Sequence, residues 1–388
     1  MTNRTTARLT GRAAFVLVVL LVRLHRLMTH RLMTHRRLMR WRTAAVAALA
    51  CGALATSGAL AGCGSSTASG SSGQSITLYS GQHEQTTDGL VTAFEKQTGI
   101  TVNVRNDDED TLANLIAVQG PHTPADVFYT ENSPALEFLQ EKGLLAAVDP
   151  STLTHTPSQY NSQQGDWVGV SARVSVIVYN PSLIPASQLP TSVMQLASPK
   201  YQGKLALAPS ETDFQPIVTS VLRTYGKAAG LTWLEGIKSN AASHIVPDNE
   251  TIVDEVNRGQ VAFGVVNQYY WYRLQAEIGA AAMHSQITHF APHDPGYVID
   301  VSGAAVLKYS KHQAAAQKFL AFLVSTQGEQ IIGRASGNEQ SYEYPLGSGV
   351  TTSAPETPFA QLQPNPITIA DLGDGSAAIA LLRQAGLL

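Results

Sequence analysis

From Ile76 onward, short continuous apolar runs alternate with segments whose apolar residues recur every three or four positions. Residues 76–80, 100–105, 125–129, 168–179, 261–266 and 304–307 are too short and too evenly apolar for helices, and read as strands, 168–179 as one or two. Between them, residues 84–98 place Leu90, Val91 and Phe94 at helical spacing, and residues 108–118 do the same with Leu112, Leu115 and Ile116. Ser133-Pro134 predicts another helix start, because proline is tolerated in a first turn. Residues 214–237 predict two helices, 251–258 and 313–324 one each, and the Pro/Ser/Thr-rich tail after Gly347 ends in a helix over 377–385. Strand–helix alternation of this kind predicts an α/β fold. One set of units, a second set and a late return predict two lobes, over 76–172 and 173–300. Residues 301–350 would return to the first lobe, and a tail over 351–388 would pack on both. A ligand would then sit between lobes, at the C-terminal ends of strands.

The first 62 residues follow a different pattern. Ten positive charges from Arg4 to Arg42 precede the first acid, Glu84, and residues 43–61 are small or apolar up to Leu60-Ala61-Gly62-Cys63. Basic, apolar and small-residue stretches in that order predict an export signal. A cysteine directly after the small residues predicts acylation of Cys63 as the mature N-terminus, lipid-anchored to the outer face of the cell membrane. Residues 64–75, rich in serine and glycine, would be the flexible tether. A transmembrane anchor is the alternative, since a run of about 19 residues is long enough. Its alanines, glycines, Thr56 and Ser57 speak for cleavage. The upstream run 13–22 is too short to span a bilayer. The direct repeat Arg26-Leu27-Met28-Thr29-His30, Arg31-Leu32-Met33-Thr34-His35 suggests translation from Met28, Met33 or Met39.

Cleavage removes ten of the 26 basic residues and none of the 29 acids. A body that acidic argues against nucleic acid as a partner and is at ease with cations. Cys51 leaves with the signal and Cys63 carries lipid, so no thiolate metal site or disulfide is available. The length of the remaining chain supports a core that needs no staple, and a monomer is expected.

Four polar residues fall just after strands: His83, Glu131, Tyr269 and Tyr270. One imidazole, one carboxylate and two phenols suit a hard, highly charged cation, which prefers anionic oxygen. Free tyrosine titrates near about 10, so only a strongly acidic metal ion such as Fe³⁺ displaces its proton at neutral pH. Two phenolates and a carboxylate carry three negative charges, matching that ion. Each residue also has a plainer role: His83 a surface or capping residue, Glu131 a cap for the helix near Pro134, Tyr269-Tyr270-Trp271-Tyr272 core packing or a stacking wall. The conjunction of the four favours the metal.

The segments Tyr79-Ser80-Gly81-Gln82-His83, Ala125-Asp126-Val127-Phe128-Tyr129-Thr130-Glu131 and Asn267-Gln268-Tyr269-Tyr270-Trp271 resemble the periplasmic ferric-ion-binding proteins of ABC iron transporters. Asp294-Pro295-Gly296, Ser302-Gly303-Ala304-Ala305-Val306-Leu307 and Glu343-Tyr344-Pro345-Leu346 extend the likeness over nearly the whole mature chain. The resemblance implies a type 2 periplasmic binding fold, similar to one transferrin lobe. It implies His83 and Glu131 from one lobe against Tyr269 and Tyr270 from the other, closing on Fe³⁺. Delivery to a permease and its ATPase is implied as well. Such relatives add a phosphate or carbonate, which points to Ser210, Thr212, Asn249 and Asn267, with Arg173 as a carbonate partner. The turn departs from the family pattern. It reads Ser210-Glu211-Thr212-Asp213, whose acids would repel phosphate or else cap the following helix.

Two other functions are open to the sequence. The same fold could bind a polyamine, thiamine, phosphonate or sugar against the aromatic cluster. A hydrolase could use Glu131 and His83 as acid and base, but neither a Gly-x-Ser-x-Gly nor a His-Glu-x-x-His motif is present.

Overall fold

The computed structural model describes residues 74–334, 341–347, 349–352 and 354–388. The export signal, Cys63 and most of the tether lie outside the described residues. The body is α/β, built on two sheets that share one strand.

The first sheet joins β1 (Ser75–Ser80), β2 (Thr101–Asn106) and β3 (Val127–Thr130) in parallel, in the order β2-β1-β3. Helix α1 (Glu84–Thr98) connects β1 to β2, and α2 (Glu109–Gln119) connects β2 to β3. Strand periodicity decides which way each residue faces. Ile76, Leu78, Val127 and Tyr129 join a core under α1, while Tyr79 and Phe128 join the core on the opposite face. Helix α1 buries Leu90, Val91 and Phe94, as its spacing predicts, and stops where Gly99 adopts a left-handed φ of 71°. Phe94 meets Phe319 edge-on at 5.0 Å, from α7 (Gln313–Leu323). Helix α3 (Pro134–Glu141) follows β3, with proline in its first turn.

Strand β4 (Val168–Tyr179) is buried along its whole length and belongs to both sheets. Its first half pairs antiparallel with β8 (Ile299–Val306), from Val168 opposite Ala304 to Val174 opposite Ile299. Its second half pairs with β6 (Phe263–Asn267), from Ser175 opposite Asn267 to Tyr179 opposite Phe263. Short strands β5 (Leu205–Ala206) and β7 (Gln286–Thr288) complete the second sheet, and β9 (Tyr344–Pro345) borders the first.

The two helices predicted over 214–237 are present, meeting at Gly226, whose φ of 81° and ψ of 168° are not helical; together they are labelled α4 (Gln215–Ala241). Helix α5 (Asn249–Asn257) leads into β6. Helix α6 (Gln268–Ile278) starts directly where β6 ends; the sequence reading placed no helix there. Helix α8 (Thr326–Ile332) follows α7, and α9 (Ser376–Gln384) ends the fold, packed on α4. None of the described helices is long and apolar enough to cross a membrane.

Candidate metal centre

Three strand ends converge. The β1–α1 loop delivers His83, whose main-chain N–H is held by the Gln82 side chain at 2.8 Å; Gln82 in turn donates to Ser302 on β8. The β3–α3 loop delivers Glu131. Its backbone is fixed by Glu109 at the start of α2: Oε2 accepts from the N–H groups of Glu131 at 2.7 Å and Asn132 at 2.8 Å, and Oε1 from the Asn132 amide at 3.0 Å. Tyr269 and Tyr270 occupy the first turn of α6, where the helix N-terminus favours negative charge on a ligand. Gln268, one residue earlier, accepts a hydrogen bond from the Val174 N–H at 2.9 Å and donates to the Tyr342 carbonyl. That anchors the tyrosine turn to β4 where the strand changes sheet.

The four sequence-selected donors are thereby brought together. Glu131 Oε1 lies 2.6 Å from His83 Nε2 and accepts the Tyr269 hydroxyl at 2.5 Å. His83 Nε2, despite that approach, makes no aligned hydrogen bond. The His83 ring stands edge-on to Tyr269 and Tyr270 at 5.4 and 5.8 Å. Both tyrosines are buried, with ring centroids 4.2 Å apart. They pack on each other, and the Arg273 guanidinium lies over the Tyr269 ring at 4.7 Å.

Asp213 also enters this cluster. It was expected to repel an anion or cap a helix. Its side chain caps nothing: Oδ2 accepts from Tyr270 at 2.9 Å, Tyr269 at 3.1 Å and Asn249 at 3.0 Å, and Oδ1 from Asn132 at 3.0 Å. Glu211 makes no side-chain cap either. Of the residues expected around an anion, Asn249 and Thr212 reach this cluster, Thr212 by accepting from Asn132 at 3.2 Å. Asn267 lines a small pocket with Asp213 and Asn132. Ser210 does not reach it; it is exposed, and its hydroxyl is directed to the Pro247 carbonyl at 3.4 Å. Arg173 is buried against the site, donating to the Glu131 carbonyl and, at 2.8 Å, to Glu343. Glu343 also accepts from Ser171.

The electrostatics are those of a site built for positive charge. Burial opposes ionisation of Glu131, but His83, Arg173 and the Tyr269 hydrogen bond outweigh it and hold its carboxyl below the usual range. Burial, then the Glu131 charge, pushes Asp213 up to about 6. Burial and the charges of Asp213 and Glu131 push both phenols well above their ordinary values. Glu211 is driven up to about 8 by burial and by Asp213. Crowded acids and protonated phenols are the condition that a bound cation relieves. Among the described residues no group of three or more His, Cys, Asp or Glu side chains is arranged around a metal position. A metal held at Glu131 or His83 would lie beside the two phenols, and that oxygen-rich donor set fits Fe³⁺.

The family described as bacterial extracellular solute-binding protein matches residues 76–337. The chain is 36% identical over 318 residues to a protein of Serratia marcescens named Fe(3+)-binding periplasmic protein, covering 82% of this chain and 92% of that one. It is 33% identical over 314 residues to the major ferric iron-binding protein of Neisseria meningitidis, covering 80% and 93%. Among solved structures, iron-bound HitA from Pseudomonas aeruginosa superposes with a TM-score of 0.76 at 39% identity, over 81% of this chain and 99% of that one. A Trichodesmium protein in complex with iron and citrate superposes with a TM-score of 0.69 at 28% identity, over 80% and 99%.

Proposed function

The chain belongs to the bacterial extracellular solute-binding proteins, in the branch of the periplasmic ferric-iron-binding proteins, and on that premise we propose that its own solute is ferric iron. Membership of a solute-binding family makes it a binding protein and not an enzyme. His83, Glu131, Tyr269 and Tyr270 are the proposed ligands, drawn from the ends of β1, β3 and β6. The observation that carries the reading is the buried tyrosine pair whose hydroxyls face carboxylates, at 2.5 Å for Tyr269 to Glu131 and 2.9 Å for Tyr270 to Asp213. One trivalent cation at the phenol oxygens would take the place of those two protons and offset the carboxylate charges they face.

The cargo would be handed to an ABC permease and its ATPase, with the protein acting as a monomer held to the membrane through lipid on Cys63. Closure around iron follows from the distribution of ligands over both sheets, because only the closed arrangement supplies all four.

Titration with ferric citrate tests the reading. A visible phenolate-to-iron charge-transfer band should rise to one equivalent. Tyr270→Phe should weaken the band and lower affinity, because it deletes an anionic ligand. A protein that stays colourless, or a Tyr270→Phe variant with the band and affinity of the parent, refutes it.

A further inference from the structure

We propose that Asp213 is a fifth protein ligand to the cation, so that this chain supplies from its own sequence the anionic position that would otherwise go to carbonate or phosphate. The inference rests on the ferric-iron reading above. Its basis is spacing. Two ligands at right angles around a metal, each at roughly 2.0–2.2 Å, lie about 3 Å apart. Asp213 Oδ2 is 2.9 Å from the Tyr270 hydroxyl and 3.1 Å from that of Tyr269, and Tyr269 is 2.5 Å from Glu131 Oε1. A cation bonded to both phenolate oxygens and to Glu131 is thus within bonding reach of Asp213 with little movement.

The donors around Asp213 support the same assignment. Asn249 and Asn132 are buried amides beside the tyrosines, and both already donate to Asp213, at 3.0 Å each. An exogenous anion would have to displace Asp213 from its amides and sit beside its charge. Asp213 is buried, and its carboxylate is pinned from four directions, so it is preorganised as a ligand. Arg173, buried behind Glu131, offsets part of the extra negative charge.

The test loads the full mature protein with ferric nitrilotriacetate, then moves it by gel filtration into degassed buffer without bicarbonate or phosphate. Three readouts are taken: iron content, position of the charge-transfer band, and rate of iron loss to EDTA. For the parent, adding bicarbonate or phosphate should leave band and rate unchanged within about twofold. Asp213→Asn, close in shape and able to fold around the same neighbours, should lose iron at least about tenfold faster in anion-free buffer. Asp213→Gly, which opens the position, should be slowed again by added anion, with a shift of the band. Thermal melting of both variants separates ligand loss from unfolding. A parent whose iron is retained about tenfold better with either anion overturns the inference, as does an Asp213→Asn variant with the parental rate. A parent that takes up no iron and shows no band under any condition overturns the ferric-iron reading itself, a different result from anion-dependent binding.

Discussion

A single methyl group on Gly81 tests how tightly the first two ligand loops are fitted to each other. A Cβ built at Gly81 lies 2.7 Å from Glu109 Cα, and closer still to Glu109 Cβ. Carbon atoms pack at roughly 3.5–4.0 Å, so the β1–α1 loop and the start of α2 must separate by about 1 Å. Neither side is free to move. The Gly81 N–H is tied to the Tyr129 carbonyl at 2.8 Å, and Glu109 holds the N–H groups of Glu131 and Asn132. The displacement therefore passes to His83, two residues on, and to Glu131. Metal sites tolerate only about 0.2 Å in ligand distance. Gly81→Ala should lower ferric affinity by about ten- to a hundredfold, the scale seen when supporting residues of metal sites are changed, and cost about 1–3 kcal/mol of stability by overpacking. Competition against citrate, read at the charge-transfer band, measures the first; denaturant unfolding of the metal-free protein measures the second. Gly99→Ala is the control. Gly99 has a φ of 71° at the end of α1 and open space around it, so alanine there costs about 1–2 kcal/mol of strain without touching a ligand. Parental affinity in Gly81→Ala, or an equal affinity loss in Gly99→Ala, would refute the reasoning.

Other perturbations probe the frame behind the site. Arg173→Met should cost about 3–5 kcal/mol in denaturant unfolding, because it leaves Glu343 buried without its cation; Arg173→Met with Glu343→Gln should recover part of that loss. Asp300 is buried and its carboxyl is pushed up to about 6, chiefly by desolvation. Folding therefore favours its protonated form; that contribution is complete below about pH 3.9 and is lost as pH rises through about 6. Unfolding at about pH 4 and pH 7 should show Asp300→Asn gaining on the parent by up to about 3 kcal/mol at the higher pH, and a pH-independent difference would contradict this. Gly226→Ala, at a φ of 81° and ψ of 168°, should lower the unfolding free energy by about 1–3 kcal/mol and leave iron binding unchanged.

The elements whose patterning is local were legible in the sequence. Helix α1 runs over Glu84–Thr98, as the periodicity predicts, and residues 168–179, readable as one strand or two, form the single strand β4. Helix α6 was not legible. Its first turn is Gln268-Tyr269-Tyr270-Trp271, an aromatic cluster that local propensity gives to strands and loops. What makes it helical is tertiary: Gln268 is engaged by β4, and Tyr269, Tyr270 and Tyr272 are buried. The roles of Asp213 and Glu109 were hidden for the same reason. An acid next to a helix start normally caps it, and only chain crossings far apart in sequence turn these two inward, Asp213 toward Asn132 and the tyrosines and Glu109 toward the β3–α3 loop. The four proposed metal donors could be picked out because they follow strands; the residues that hold them in place could not.

Strand β4 acts as the common datum for both halves of the site. Arg173 lies opposite Asp300 in the first sheet and grips the Glu131 main chain; Ser175 lies opposite Asn267, the residue from which the tyrosine turn starts. Those two reference points are two residues apart on one strand, about 7 Å of extended backbone. The tolerance chain between the carboxylate jaw and the phenol jaw is therefore very short, and errors elsewhere in either half of the molecule do not accumulate along it. A gripping device datumed this way keeps its jaws in register however its outer surfaces drift, which leaves loops and helices remote from β4 free to vary without re-gauging the grip.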